Sequence, residues 1–255
     1  MTDRETLDRL ARRAEEVGLN ASTPPQETRV EGWLLRLSPG KAKRSRCVNA
    51  LDEGTLPLND LLMRCRHAFA KAGLPLIVRV TPYSQPADLD ARLAAMGWFA
   101  FDAADVMVRG TLDDLPEAAA IEAVDAARYA EVVGELRGST RREIDAHAER
   151  LGLAPVSYQG FFMFVDGQLA ACGQIVVDGE MAGLFDVFTP AEQRRRGHAR
   201  RLCSALLQQA ALQGATSAYL QVGSDNGFAQ SLYRSLGFTF AYRYHYRSDD
   251  PAAAD

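Results

Sequence analysis

Thr189-Pro190-Ala191-Glu192-Gln193-Arg194-Arg195-Arg196-Gly197-His198-Ala199 runs directly into a helical pattern. Ala199, Leu202, Cys203, Leu206, Leu207 and Ala210 share one face. A turn with three arginines, a glycine and a helix start is a phosphate-binding device. Gly197 has no Cβ, so backbone amides can approach a phosphate oxygen. The helix N-terminus adds orphan N–H donors and about half a positive charge. Arginines add charge-assisted contacts. The bland alternative, a solvated basic turn, does not explain why strand, turn, glycine and helix fall in this order.

Working outward, three apolar runs precede the turn: Val156–Val165, Gln168–Val177 and Glu180–Thr189. Asp166-Gly167 and Asp178-Gly179 separate them. Asp-Gly between apolar runs is a strong hairpin signal, so the three strands form an antiparallel meander. After the turn helix come a strand at Ala218–Val222, a short helix at Gly227–Leu236 and a strand at Phe238–Arg247. The tail from Asp249 is expected to fray. Upstream, Val124–Arg137 reads as a helix, and Thr140 with Glu143 opens another to about Leu151.

The first half has its own order. A helix begins at a Thr2/Glu5 capping box, carries Leu7, Leu10, Ala11, Ala14 and Val17 on one face, and closes at Gly18. A strand at Val30–Leu37 turns at Ser38–Lys41 and returns at Arg46–Leu51. Asn59 caps a helix ending at Gly73. Leu76–Val80 is a buried strand. A helix over Ala87–Met96 and short strands at Trp98–Phe101 and Ala104–Arg109 follow. Gly110–Pro116 is turn-rich and acidic, the best linker candidate. Leu89-x3-Leu93-x3-Gly97-Trp98 echoes Leu232-x3-Leu236-Gly237-Phe238, which suggests two related half-folds. Only the second has the arginine turn.

The bulk properties exclude several classes. A net charge of −4 gives no global pull toward nucleic acid, and 47% hydrophobic residues fit a globular chain. The basic cluster Lys41, Lys43, Arg44 and Arg46 lacks interleaved aromatics and reads as a solvated hairpin tip. Cys47, Cys65, Cys172 and Cys203 are scattered without metal spacing, so no metal site and reduced thiols in a cytoplasmic protein are expected. The charged N-terminus has no signal-peptide apolar region, and no apolar run approaches the ~20 residues of a membrane span.

Together with Asn226-Gly-Phe-Ala-Gln-Ser-Leu-Tyr233-Arg-Ser-Leu-Gly237-Phe238, the arginine turn resembles the GNAT superfamily of acetyl-CoA-dependent N-acetyltransferases. The resemblance covers about residues 120–247. The first half resembles a degenerate copy, as in tandem GNAT proteins. The fold class this implies is α/β, with two GNAT-like halves of mixed, mostly antiparallel sheet flanked by helices. Residues 1–113 would be the degenerate domain and 114–250 the acetyl-CoA-binding domain.

The resemblance also implies roles. Amides of Arg194, Arg195, Arg196, Gly197, His198 and Ala199 would bind the pyrophosphate of coenzyme A. The His198 side chain would face that phosphate or solvent. The strand ending at Val187, Phe188 and Thr189 would splay from Ala218–Val222 and admit the pantetheine arm. Amides near Val187 and Phe188 would hold the acetyl carbonyl. Asn226 and Ala229 would contact the cofactor, and Tyr233 would protonate the departing thiolate.

The general base is open among Asp186, Glu180, Glu122 or a relayed water. The glutamate base of some family members would fall close to Ala182, which cannot serve. Packing is the alternative role for Tyr233, N-capping for Asn226, a strand position for Asp186 and solvation for His147. The acceptor would be an amine, on a small molecule or a protein, and the assembly a monomer or homodimer. The rival is a non-enzymatic acyl-CoA-binding regulatory module.

Overall fold

The computed structural model describes residues 3–116 and 119–254. The Thr2 cap lies outside them. The helices are α1 (Asp3–Ala21), α2 (Leu58–Lys71), α3 (Leu89–Ala95), α4 (Ala126–Leu136), α5 (Arg141–Leu153), α6 (His198–Leu212) and α7 (Gly227–Ser235). The strands are β1 (Glu27–Val30), β2 (Trp33–Arg36), β3 (Val48–Ala50), β4 (Val78–Val80), β5 (Phe99–Arg109), β6 (Glu122–Val124), β7 (Tyr158–Val165), β8 (Gln168–Asp178), β9 (Met181–Phe188), β10 (Ser217–Gly223) and β11 (Thr239–Ser248). The protein is mixed α/β, with mostly antiparallel strand pairs and the fold of the GNAT class.

The chain forms two compact units that interleave in sequence. One gathers α1 with Val106–Val222 and Asn226–Ala241. The other gathers Ser22–Asp105, Gly223–Asp225 and the chain from Tyr242.

In the first unit the meander β7–β8–β9 is antiparallel as expected, with β6 added on the free side of β7. β10 pairs with β9 in parallel, and α6 makes the crossover that a parallel connection needs. Its apolar stripe, Leu202, Cys203, Leu206, Leu207 and Ala210, joins Ala171, Ile175, Leu184 and Leu220 in one core. The opposite face packs Tyr129, Val133, Leu151, Phe162 and Cys172 under α4 and α5. Gly160 is the floor for Tyr129: a Cβ there would sit 2.5 Å from the ring.

The second unit packs Trp33, Leu35, Val48, Val78 and Val80 against Leu61, Leu62, Cys65 and Phe69 of α2. Its β3 and β4 also run parallel. Thus β3-α2-β4-α3-β5 repeats the order of β9-α6-β10-α7-β11, as the Leu-x3-Gly-aromatic echo suggests. The loop entering α2 holds no arginine.

Several local readings are corrected. The strand expected over 30–37 is a hairpin, β1–β2, turned at Glu31-Gly32 with φ of 50° and 88°. Two successive positive φ values make the twist-matched two-residue turn, here with Glu in place of the usual Asn or Asp. Gly18 lies inside α1 rather than capping it. A Cβ there would stand 3.2 Å from Gln221, so the glycine serves close approach. Pro57, not Asn59, caps α2. Phe99–Arg109 is one strand, kinked at Asp102 with φ 47°. Residues 122–124 are strand, and Asp125 then caps α4. The tail does not simply fray: Pro251–Ala253 form a 3-10 turn and Ala253 is buried. Nor is the basic cluster a solvated tip, because Lys43 pairs with Asp102 at 2.7 Å and donates to the Ala254 carbonyl.

The tight seat of Tyr129 generates a prediction. Gly160→Ala overpacks a fully buried ring and should cost about 1–3 kcal/mol in urea unfolding. Gly152→Ala, on α5 with open space around its Cβ, should be neutral or stabilise by up to about 1 kcal/mol. Equal stability of the two variants would contradict this packing.

Candidate functional site

The site residues of the first unit collect where β9 stops pairing. The β9–β10 ladder runs from Ser217↔Met181 to Leu220↔Leu184 and ends there, although β9 continues to Phe188 and β10 to Gly223. On its other side β9 carries a bulge. Gln174 faces Phe185 and Cys172 faces Phe188, so Asp186 and Val187 together oppose Gly173. Such a bulge bends the strand and interrupts the ladder. Asp186 accordingly takes a left-handed conformation, φ 49°. Gly173 makes room for it: a Cβ there would meet Leu206 at 2.8 Å and Val187 at 3.4 Å. Backbone groups beyond Leu184 and Leu220 therefore line a gap between two strands, open to an extended ligand.

Past Phe188 the chain makes a 3-10 turn, Ala191–Gln193, and enters α6 through Arg194–Gly197. Gln193 donates to Gln168 Oε1 at 3.1 Å, and Arg194 Nε donates to the Thr189 carbonyl at 3.2 Å, which pins both ends of the turn. Arg195 (φ 65°) and Gly197 (φ 78°) are both left-handed. Gly197 is the N-cap and supplies no side-chain acceptor. The first-turn amides of α6 thus lack an intrahelical partner by geometry, beside exposed Arg194, Arg195 and Arg196.

His198 is not solvent-facing. It is 6% exposed, and neither ring nitrogen has a hydrogen-bond partner among the described residues. A buried imidazole without a partner beside unpaired helix amides fits a site built for a polar anionic ligand.

Asn226 caps α7, its Oδ1 accepting from the Ala229 amide at 3.1 Å. That satisfies one oxygen and leaves the side-chain NH2 as the group suited to a ligand carbonyl. Tyr233, two turns on, lies in the core with Leu202, Cys203 and Val222 and meets Phe238 edge-on at 6.1 Å. Burial, and secondarily the neighbouring Cys203 thiol, push its phenol pKa up.

Asp186 belongs to a cluster that sequence reasoning did not find. Arg137 Nη1 donates to its carboxylate at 3.0 Å, and His147 Nε2 lies 3.2 Å from the other oxygen. Tyr129 donates its hydroxyl to the Asp186 carbonyl at 3.0 Å. Burial alone would raise the carboxyl pKa. The His147 contact and the charges of Arg137, His147 and Arg150 together outweigh burial and hold it well below the usual carboxylate range. A carboxylate that binds a proton so weakly is a poor proton acceptor near neutral pH.

Glu180 stands in the exposed turn before β9, its carbonyl accepting from Thr216 and Ser217. Six residues of strand at about 3.3 Å each put it roughly 20 Å from Asp186. Glu122 is exposed on β6. Ala182 is fully buried.

The first unit therefore brings together Asp186, Val187, Phe188, Thr189, the arginine turn, Asn226, Ala229 and Tyr233, and it leaves out Glu180. Arg137 and Tyr129 were missed because the Arg137–Asp186 pair spans 49 positions. No spacing rule reaches that far. His147, read as solvated, is instead largely buried beside Asp186. No group of three or more metal-ligand side chains occurs among the described residues, and no helix there is long and apolar enough to cross a membrane. All four cysteines are buried and none forms a disulfide.

Known proteins match along almost the whole chain. Residues 11–247 match the family model described as "Probable histone acetyltransferase Rv0428c C-terminal". The Bacillus subtilis (strain 168) protein named "Uncharacterized N-acetyltransferase YobR" is 25% identical over 223 residues, 84% of this chain and 89% of its own. An Escherichia coli (strain K12) [ribosomal protein bS18]-alanine N-acetyltransferase is 33% identical over 86 residues, 33% of this chain and 57% of its own.

Two solved structures share the fold. A GCN5-related N-acetyltransferase from Kribbella flavida has TM-score 0.68 at 18% identity, covering 95% of both chains. A tandem GNAT protein from the clavulanic acid biosynthesis pathway has TM-score 0.62 at 19% identity, covering 96% of this chain and 95% of that one. With a strand pair that parts, an arginine turn at a helix start and a family model spanning both, this chain belongs to the Rv0428c C-terminal family of GNAT-type N-acetyltransferases.

Proposed function

We propose that the protein uses acetyl-CoA to acetylate an amine, and that the working site lies in the unit holding β9, β10, α6 and α7. The observation that carries this reading is the early end of the β9–β10 ladder, directly ahead of a turn whose helix amides lack partners. A pantetheine arm is an extended chain with amide groups, and it suits the gap beyond Leu184 and Leu220. A pyrophosphate suits the α6 N-terminus, with Arg194, Arg195 and Arg196 neutralising its charge. Bound there, acetyl-CoA supplies an activated acetyl thioester.

The chain's own groups do the rest. Amides at Val187 and Phe188 bind the carbonyl oxygen and stabilise the charge that develops on it. The Asn226 side-chain NH2 and the Ala229 segment orient the arm. The Tyr233 hydroxyl gives its proton to the departing thiolate, and the proton shed by the attacking amine passes through water to restore the phenol. Asp186 takes no part in proton transfer in this reading, because its ion pairs keep it a weak base.

The acceptor is an amine on a small molecule or a protein. The bS18-alanine N-acetyltransferase is named for a protein amine. The half-fold around β3, α2 and β4 carries no arginine turn, so we assign it no second acetyl-CoA site and read its unit, built mainly from Ser22–Asp105, as the degenerate copy, with α1 belonging to the unit of the active site. Four buried cysteines outside any disulfide fit a reducing, cytoplasmic setting. The acetyltransferase relatives favour catalysis over the alternative of a non-enzymatic acyl-CoA sensor.

Acetyl-CoA at millimolar concentration should raise the melting temperature, and Gly197→Glu should abolish that shift by placing a carboxylate where the phosphate binds. A wild-type melting temperature indifferent to acetyl-CoA would contradict the cofactor assignment. Tyr233→Phe should lower kcat by about 10²-fold or more while acetyl-CoA binding stays nearly the same. Because the phenol pKa is raised, the proton stays on as pH rises, and the wild-type kcat should not fall between about pH 8 and 10. Equal rates for Tyr233→Phe and wild type would remove the phenol from the mechanism.

A further inference from the structure

We propose that Arg137, Asp186 and His147 form a clamp that positions the β9 bulge, so that the amides after Asp186 are fixed where a carbonyl oxygen must bind. The inference rests on the acetyltransferase reading above and adds positioning residues to it.

A non-glycine residue at φ 49° is uncommon and persists only where its surroundings over-determine it. Asp186 is held from three directions. Tyr129 of α4 takes its carbonyl at 3.0 Å. Arg137, the C-cap of α4, takes one carboxylate oxygen at 3.0 Å. His147 Nε2 of α5 stands 3.2 Å from the other, outside hydrogen-bond geometry, and makes an ion pair with it when the imidazole is protonated. The Arg137 guanidinium also lies over the Phe188 ring, 5.6 Å from its centroid, so it grips the strand on the far side of the bulge as well. Together these contacts bracket residues 186–188, the segment of β9 that continues past the end of the β9–β10 ladder.

An isolated exposed ion pair would count for little. This carboxylate is different, because its side chain is only 19% exposed and its pairing overrides the burial effect on its pKa. The same contacts fasten the α4–α5 connection, Arg137–Thr140, to the bulge. That connection is closed at its far end by the complete Thr140/Glu143 capping box. A displacement of about 1 Å at a reacting group can cost about 10²-fold in rate, so a loosened bulge should show in kcat.

The test compares Asp186→Asn, Asp186→Gly, Arg137→Ala and Arg137→Lys with wild type. Asn and Gly both accept a left-handed backbone, so the first two variants keep the fold and remove only the charge or the side chain. The expected result is a kcat lowered about 10- to 100-fold in Asp186→Asn, Asp186→Gly and Arg137→Ala, with the acetyl-CoA dissociation constant within about twofold of wild type. Arg137→Lys should recover part of the loss.

Hydrogen–deuterium exchange supplies a readout independent of turnover: amides 185–189 should exchange faster in the three impaired variants, with α6 unchanged. Unchanged exchange in Asp186→Asn and Arg137→Ala would overturn the clamp, whatever the rates. Faster exchange with an unchanged kcat would overturn its catalytic importance. A wild type that binds acetyl-CoA but releases no thiol would defeat the acetyltransferase reading, and exchange would still decide the clamp.

Discussion

A parallel strand pair that stops pairing too soon is the constraint on which the rest of the site depends. Backbone N–H and C=O groups need partners, and a strand that continues past its ladder must find them elsewhere. β9 parts from β10 after Leu184↔Leu220 and bulges away from β8 at Asp186 and Val187 before pairing again at Phe188↔Cys172, so the two bulged residues are in register with neither neighbour. Glycines allow this. Gly183 lies beneath the Phe185 and Tyr219 rings, where a Cβ would come within 2.5 Å and 2.8 Å, and Gly173 yields its space to Val187 and Leu206. The meander and α6 pack against the strand up to the point where it parts.

The arginine turn follows from the same geometry. A strand bent by a bulge delivers the chain to the start of α6, and two left-handed residues, Arg195 and Gly197, fold the turn back so that the helix amides point outward. The gap and the amides are then consecutive along the chain, a few residues apart. An extended ligand ending in a phosphate can use both. The half-fold around β3, α2 and β4 has the parallel pair but enters its helix through an acidic loop and Pro57. The same architecture without the turn therefore lacks the anion site.

Much of this was legible in the sequence, where short-range chemistry decides structure. The Asp-Gly turns of the meander, the Thr140/Glu143 capping box and the apolar stripe of α6 are local signals, and each appears as read. What escaped depended on distant partners or unusual residues. Glu31-Gly32 makes a tight hairpin with a residue seldom chosen for positive φ. Gly18 looked like a helix end because its true reason, the approach of Gln221, lies some two hundred residues away in sequence. Glu122–Val124 is too short for periodicity to mark as a strand. Asp186 read as a candidate base because a carboxylate in a strand near a reactive site invites that role. Its partners Arg137 and His147 come from α4 and α5, and only the fold reveals that its charge is already engaged.

The most direct test of the account is a crystal structure with coenzyme A bound. The prediction is that the pantetheine arm lies between β9 and β10 beyond Leu184 and Leu220, with the pyrophosphate on the amides of Gly197, His198 and Ala199. Coenzyme A found elsewhere on the chain, or absent at millimolar concentration, would contradict it.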